Sequence, residues 1–384
     1  MLPFSAARAA LVILSTLALA GCVTTAGVRD SAVPEAIADM AAVPGALATT
    51  VPATDAEPIR YWGDAQLEEG KSFKFTPGPD GAVDFLSLSG GGINGAYGAG
   101  FLVGWTQSGE RPEFEVVTGI SVGALIAPMA FLGPSYDGRL TEVFSSLASQ
   151  KSPNLNFISA ALGAPSIASN TPVLKAIRRL IDPGTVTAIA VEHLKGRRLL
   201  VGTTNLDAER PVIWDIGAIA ASNIPDRLDL IQQILLASAA VPGVYPPVLI
   251  DVRAAGGKFD ELHVDGGVTQ QIVLLPDGLD SLPGRANLYV VYNGAIEPSS
   301  EPVNVTSLSV LERSIPTLLK YRGRGDIAIL TNMVERSGIN YRLTAIPPNF
   351  PQPQNALFGG PEWLAALYQY GVESGSMGAW HRSN

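Results

Sequence analysis

Two glycine-rich turns, each directly after a short apolar run, constrain this chain more than any other feature. They are Ser89-Gly90-Gly91-Gly92-Ile93-Asn94-Gly95 after Val83 to Leu88, and Gly119-Ile120-Ser121-Val122-Gly123 after Phe114 to Val117. Small-residue stretches of helical character follow, Ala96 to Gln107 and Ala124 to Phe131. A strand, a turn and a helix, twice over, is a β-α-β-α rhythm and argues a parallel sheet. Further strands are expected at Arg198 to Thr203, Pro211 to Trp214, Val248 to Val252 and Leu288 to Val291, and helices at Thr171 to Ile181 and Arg227 to Ala239. From Ser307 to Arg336 apolar and charged residues alternate with helical spacing, which reads as a covering helical pair. The expected fold class is a three-layer α/β/α domain with a mostly parallel central sheet and a helical C-terminal extension.

Parallel connections are right-handed, so the loops after the first two strands emerge at the same carboxyl edge of the sheet. The two glycine turns can then face one pocket. The second, Gly119 to Gly123, has the Gly-x-Ser-x-Gly form of a nucleophile elbow, a sharp bend that holds a serine exposed, with glycines on either side because side chains there would collide. Ser121 is the candidate nucleophile. The first, Gly90 to Gly95 in Gly-x-Gly-x-x-Gly form, offers backbone N–H groups at a helix start, and Gly90, Gly91 and Gly92 are the candidate oxyanion donors.

A serine hydroxyl needs a base within hydrogen-bond reach. The chain holds three histidines, His193, His263 and His381, and one aspartate in an unusual setting, Asp265 in His263-Val264-Asp265-Gly266-Gly267. Two glycines after an acid at a strand end let the backbone approach another loop and leave the carboxylate accessible.

Gly-Gly-Gly-x-x-Gly, then Gly-x-Ser-x-Gly, then Asp-Gly-Gly at Asp265 to Gly267, in that order, resembles the patatin-like phospholipase family. Thr204-Asn205-Leu206-Asp207 and Ala237-Ser238-Ala239-Ala240-Val241-Pro242-Gly243 look similar as well, so the resemblance spans roughly Asp84 to Leu275. It implies a lipid acyl hydrolase, phospholipase A-like, that works through a Ser-Asp dyad and an acyl-enzyme without histidine. Ser121 would be the nucleophile, Asp265 its base, and the amides at Gly90 to Gly92 the oxyanion hole. No metal or other cofactor is implied. Ser89 departs from the family, where many members carry aspartate; little effect is expected, because the donors there are backbone groups.

Three rival readings use the same residues. An α/β-hydrolase triad would run Ser121, then Asp207 or Asp251 with His263, or another acid with His381. Against it, no histidine precedes the triple glycine, and the oxyanion strand comes immediately before the elbow strand. Dinucleotide binding at Gly90-x-Gly92-x-x-Gly95 would want an acid at the end of the next strand, where Gly119-Ile120-Ser121 stands. An inactive scaffold would have little reason to keep both serine and aspartate.

Composition excludes some classes. With 384 residues, 47% hydrophobic and 16% charged, the chain forms a core rather than a disordered segment. A formal net charge of −9 and the absence of a basic stripe with interleaved aromatics exclude nucleic acid as the expected partner.

The N-terminus reads as an export signal: Arg8 precedes the apolar stretch Ala9 to Ala20, which ends in Leu19-Ala20-Gly21-Cys22. Cys22 is the single cysteine, placed where bacterial lipoprotein signals put the acylated residue, and the segment resembles such a lipobox. The expected organisation is a signal segment over 1–21, a tether over 22–58 with a short helix near Glu35 to Ala42, the catalytic domain over 84–278, and C-terminal strands and covering helices over 279–384. Residues 144–170, rich in Ser, Asn, Ala and Pro, read as a flap over the site. An acyl-ester or phospholipid substrate and membrane attachment through the lipid anchor follow as expected partners. Val23 after the cysteine points to the outer membrane or periplasmic face.

Overall fold

The computed structural model describes residues 29, 31–46, 58–65, 75–149, 166, 168–273, 285–353 and 359–382. The expected signal segment, Cys22 and most of the expected tether lie outside these residues. Ten strands are described: β1 (Arg60–Trp62), β2 (Val83–Leu88), β3 (Val116–Ile120), β4 (Arg198–Asn205), β5 (Arg210–Asp215), β6 (Val248–Ala254), β7 (Gly257–Asp265), β8 (Ala286–Tyr292), β9 (Asn340–Ala345) and β10 (His381–Arg382). The helices are α1 (Gly95–Gln107), α2 (Val122–Leu132), α3 (Asp137–Ser149), α4 (Thr171–Leu180), α5 (Pro183–Leu194), α6 (Ile216–Ala221), α7 (Arg227–Ser238), α8 (Ser307–Ser337) and α9 (Pro361–Ser376).

The sheet runs in the order β1-β5-β4-β3-β2-β8-β9-β10, and β4, β3, β2, β8 and β9 are mutually parallel. Antiparallel pairing is confined to β1, β5 and β10 at the edges and to the β6–β7 hairpin, which joins through the end of β4. Alternation along the central strands sorts their side chains onto two faces. Leu86, Leu88, Val117, Leu199, Val201 and Val291 face α1, α2, α7 and α9. Val83, Phe85, Val116, Leu200, Leu288 and Val290 face the other way, under Leu330 and Val334 of α8. The result is the three-layer α/β/α arrangement with a mostly parallel sheet.

Two expectations are corrected. The pattern from Ser307 to Arg336 is one helix, not a pair: α8 runs 31 residues through Pro316, capped by Thr306, whose hydroxyl accepts from the Ser309 amide at 3.1 Å, and by Gly338 at φ 68°. Pro316, Gly323 and Gly325 weaken it locally, and its packing on the sheet sustains it. Gly323 even serves that packing, since a Cβ there would stand 2.4 Å from the Tyr292 hydroxyl.

Part of the presumed tether is also built into the domain. Residues 35–40 form a short 3₁₀ helix, Ala41 and Val43 are buried, and Ala42 exchanges backbone hydrogen bonds of 3.0 and 2.8 Å with Arg253 on β6. Small apolar residues bury against a strand without any long periodic signal. Of the expected flap, 144–149 finish α3 and the Ala168 amide donates to the Val244 carbonyl at 2.9 Å; most of the remainder lies outside the described residues.

Helices α1 and α9 cross at glycines. A Cβ at Gly104 would lie 1.9 Å from the Val372 carbonyl oxygen, and one at Gly371 would lie 2.3 Å from that of Tyr97. Such backbone-to-backbone contact has no flexible side chain to yield. Gly104→Val is expected to destabilise the protein by at least about 2 kcal/mol in urea unfolding, as overpacking does. Gly138→Ala in α3, where a Cβ meets open space, is expected to be neutral or slightly stabilising.

Candidate active site

Strand β3 ends at Ile120 and α2 begins at Val122, so Ser121 makes the whole turn between them, at φ 53° and ψ −123°. A non-glycine residue there costs on the order of 1–3 kcal/mol and persists only when its surroundings hold it. They do so through the backbone. The Ser121 amide donates to the Ser238 hydroxyl at 2.9 Å, which donates in turn to the Gly202 carbonyl at 2.7 Å. The Ser121 carbonyl accepts from Ala124 and Leu125 at 2.9 and 3.3 Å. The flanking glycines are required by contact: a Cβ at Gly119 would lie 2.6 Å from the Gly123 carbonyl oxygen, and one at Gly123 would lie 2.2 Å from that of Leu88.

Asp265 closes β7, beside Thr203 of β4. Gly266 presses onto that strand, where a Cβ would come 2.5 Å from the Gly202 carbonyl oxygen. One peptide at Gly202 therefore supports both the elbow and the aspartate turn. The carboxylate is not accessible as the glycines implied, since Asp265 is 2% exposed. Its Oδ1 accepts from the Gly267 amide at 2.7 Å, while buried Oδ2 meets no partner in hydrogen-bonding geometry. Burial pushes its pKa up to about 7, against the opposing pull of the adjacent Ser121 side chain and the Gly267 amide.

The triple-glycine loop is clamped from β8. Asn293, directly after that strand, donates its amide to the Ser89 hydroxyl at 2.7 Å and its Nδ2 to the Ser89 carbonyl at 2.8 Å, and its Oδ1 accepts from Gly98 at 3.1 Å. The Ser89 hydroxyl also donates to the Gly90 carbonyl at 2.7 Å, which a carboxylate at this position could not do, so this departure carries a structural role. Gly90 is corrected as an oxyanion donor, because its amide is turned to the Gln271 carbonyl at 3.3 Å. Gln271 is itself held by Asp326 of α8, whose Oδ2 accepts the Gln271 amide at 2.6 Å. Among the described residues the amides of Gly91 and Gly92 meet no acceptor. Gly91 sits at φ 154°, where a Cβ would overlap the Asn293 carbonyl oxygen at 1.9 Å.

Ser121, Asp265 and Gly90 to Gly92 line one open cleft of about 940 Å³. Its walls are largely apolar, among them Leu125, Val244, Phe350 and Trp363. No histidine joins this group. His263 is fully buried behind the site, its Nδ1 2.9 Å from the Thr203 hydroxyl and its Nε2 3.1 Å from Glu261. Glu261 is held at about 2: burial opposes the charge, but Arg60, at 2.5 Å, and His263 outweigh it. His193 faces Asp215 at 3.7 Å, and His381 lies exposed on the edge strand β10. Asp207 pairs with Arg29 and accepts the Leu262 amide at 2.9 Å, so it is committed elsewhere. Among the described residues no three His, Cys, Asp or Glu side chains are placed to hold a metal ion.

Ser238, Asn293 and Asp326 escaped the sequence reading. Ser238 lay within a noticed motif, whereas the other two act through contacts that no local pattern encodes. A folded-state pKa near 7 against 3.8 for a free carboxyl means that stability falls as pH rises between those values. Asp265→Asn is therefore expected to be more stable than the parent, by up to about 4 kcal/mol above pH 7 and with the difference vanishing near pH 4. Urea midpoints across pH measure this.

Residues 86–276 match the model of the family described as patatin-like phospholipase. Curated proteins give no significant match. Among solved structures the chain is similar to VipD from Legionella pneumophila, at 14% identity and a TM-score of 0.35, over 81% of this chain and 71% of that one. It is also similar to the type III effector protein ExoU, at 13% identity and a TM-score of 0.31, over 79% of this chain and 54% of that one. The matched stretch contains both glycine turns, Ser121 and Asp265, and residues 86–276 belong to the patatin-like phospholipase family, a family of lipid hydrolases.

Proposed function

We propose that this chain hydrolyses fatty-acyl esters through a Ser121–Asp265 dyad. The observation that carries the reading is a buried carboxyl with one unsatisfied oxygen, next to a serine held in a strained turn, with no histidine at hand. The ionised Asp265 accepts the Ser121 proton as Oγ bonds to the acyl carbon. The Gly91 and Gly92 amides receive the oxyanion that forms. Collapse breaks the ester bond, and the leaving alcohol takes the proton back from Asp265. Water then repeats the sequence on the acyl-enzyme, with Asp265 again the base, and frees the fatty acid and Ser121. Desolvation supplies what an ordinary aspartate lacks, a basicity matched to neutral pH.

The family and the apolar cleft walls support a lipid substrate. The Leu19-Ala20-Gly21-Cys22 segment supports placement on the bacterial envelope by an acylated N-terminus. The triad rival would need a histidine at Ser121, and His263 is engaged with Thr203 and Glu261.

Steady-state assays on nitrophenyl esters and phospholipids test the dyad. Ser121→Ala and Asp265→Asn are each expected to lose about 10³-fold or more in kcat, and His263→Gln to stay within about tenfold of the parent. The parent kcat/KM is expected to rise with pH to a plateau above about 7, because the base must be ionised. Full activity in Asp265→Asn would overturn the dyad, and loss in His263→Gln with Asp265→Asn active would install the triad.

A further inference from the structure

Helix α8 lies outside residues 86–276, yet its first half walls the cleft that holds Ser121 and Asp265. Arg313 and Lys320 line the cleft from this helix, and Arg324 stands one turn beyond Lys320. Spacings of seven and four residues put the three cations along one stripe. Of the described residues lining the cleft, only Asp265 and Glu301 carry carboxyls.

The cations are poorly compensated. Lys320 donates to the Glu297 carbonyl at 3.2 Å and is drawn below its ordinary pKa by burial and then by Arg313 and Arg324. Arg324 leans over the Tyr321 ring at 5.2 Å, and its buried Nη1 makes no hydrogen bond. Arg313 donates to the Ser299 carbonyl at 2.7 Å and reaches Glu301 at 3.4 Å, a residue largely in solvent. Like charges held together against an apolar wall are unfavourable until an anion joins them. The wall beside them is apolar too, with Ile315 and Leu319 between Arg313 and Lys320. A cationic spot in an apolar cleft that also holds the nucleophile suits an amphiphile better than a free ion.

Resting on the proposed acyl hydrolysis at Ser121, we propose that Arg313 and Lys320, backed by Arg324, form a subsite for a phosphate-bearing head of the substrate ester. The enzyme then prefers acyl esters with an anionic head to neutral acylglycerols.

The test compares 1-acylglycerol 3-phosphate with 1-acylglycerol of the same chain length, as a ratio of kcat/KM, in parent, Lys320→Gln, Arg313→Gln, the double variant and Lys320→Arg. The ratio is expected to fall about tenfold or more in Lys320→Gln and further in the double variant, and to be held by Lys320→Arg. An unchanged ratio in the double variant overturns the subsite. If the parent cleaves neither ester, the hydrolase reading fails on its own. Calorimetric binding of the uncleavable 1-alkylglycerol 3-phosphate against 1-alkylglycerol then decides the subsite by the same ratio. Displacement of the alkyl phosphate by an equal concentration of inorganic phosphate would make this a free-anion site and overturn the headgroup assignment.

Discussion

The backbone of Ser121 cannot hold its own conformation. At φ 53° it sits where an ordinary residue is strained, and it stays there because one contact within the turn and two other parts of the chain hold it. Gly123 meets the end of β2, Gly119 meets Gly123, and the Ser238 hydroxyl at the end of α7 ties the Ser121 amide to Gly202 on β4. The same Gly202 peptide receives Gly266. The serine and the aspartate are thus positioned against a shared strand end, and a shift in one displaces the support of the other. The parallel order of β4, β3 and β2 makes this possible, because it delivers three carboxyl ends to one edge.

The C-terminal third completes the site although it lies outside the family stretch. Asn293 fixes the triple-glycine loop, Asp326 fixes Gln271, and Gln271 takes up the Gly90 amide. Among the described residues the amides of Gly91 and Gly92 are left without acceptors. Helix α9, pressed onto α1 at paired glycines, holds the helix that follows the loop. The chemistry proposed for Ser121 depends on these late elements as much as on the motifs.

Much of this was legible in the amino-acid order. The two glycine turns announced the strand–turn–helix units, and β2, β3, α1 and α2 lie where those turns put them, within two residues at most ends. Asp265 stood out because two glycines follow it, and those glycines do make a close approach. What stayed hidden was set by distance in sequence. Nothing near Gly90 tells that its amide will be claimed by Gln271, and nothing near Asn293 tells that it meets Ser89, 204 residues away. The packed stretch 35–43 was missed because alanine and valine bury well without a repeating pattern. The accessible carboxylate expected at Asp265 is instead buried, and burial is what lifts its basicity.

In the proposed mechanism a desolvated aspartate, and no histidine, activates Ser121. The rate of labelling by a fluorophosphonate, followed by peptide mass spectrometry across pH, tests it most directly, because phosphonylation needs the activated serine but no turnover. Ser121 is expected to be modified at a rate that climbs with pH, levels off above about 7 and persists in His263→Gln. Modification at another residue, or a Ser121 rate that survives in Asp265→Asn and disappears in His263→Gln, would contradict it.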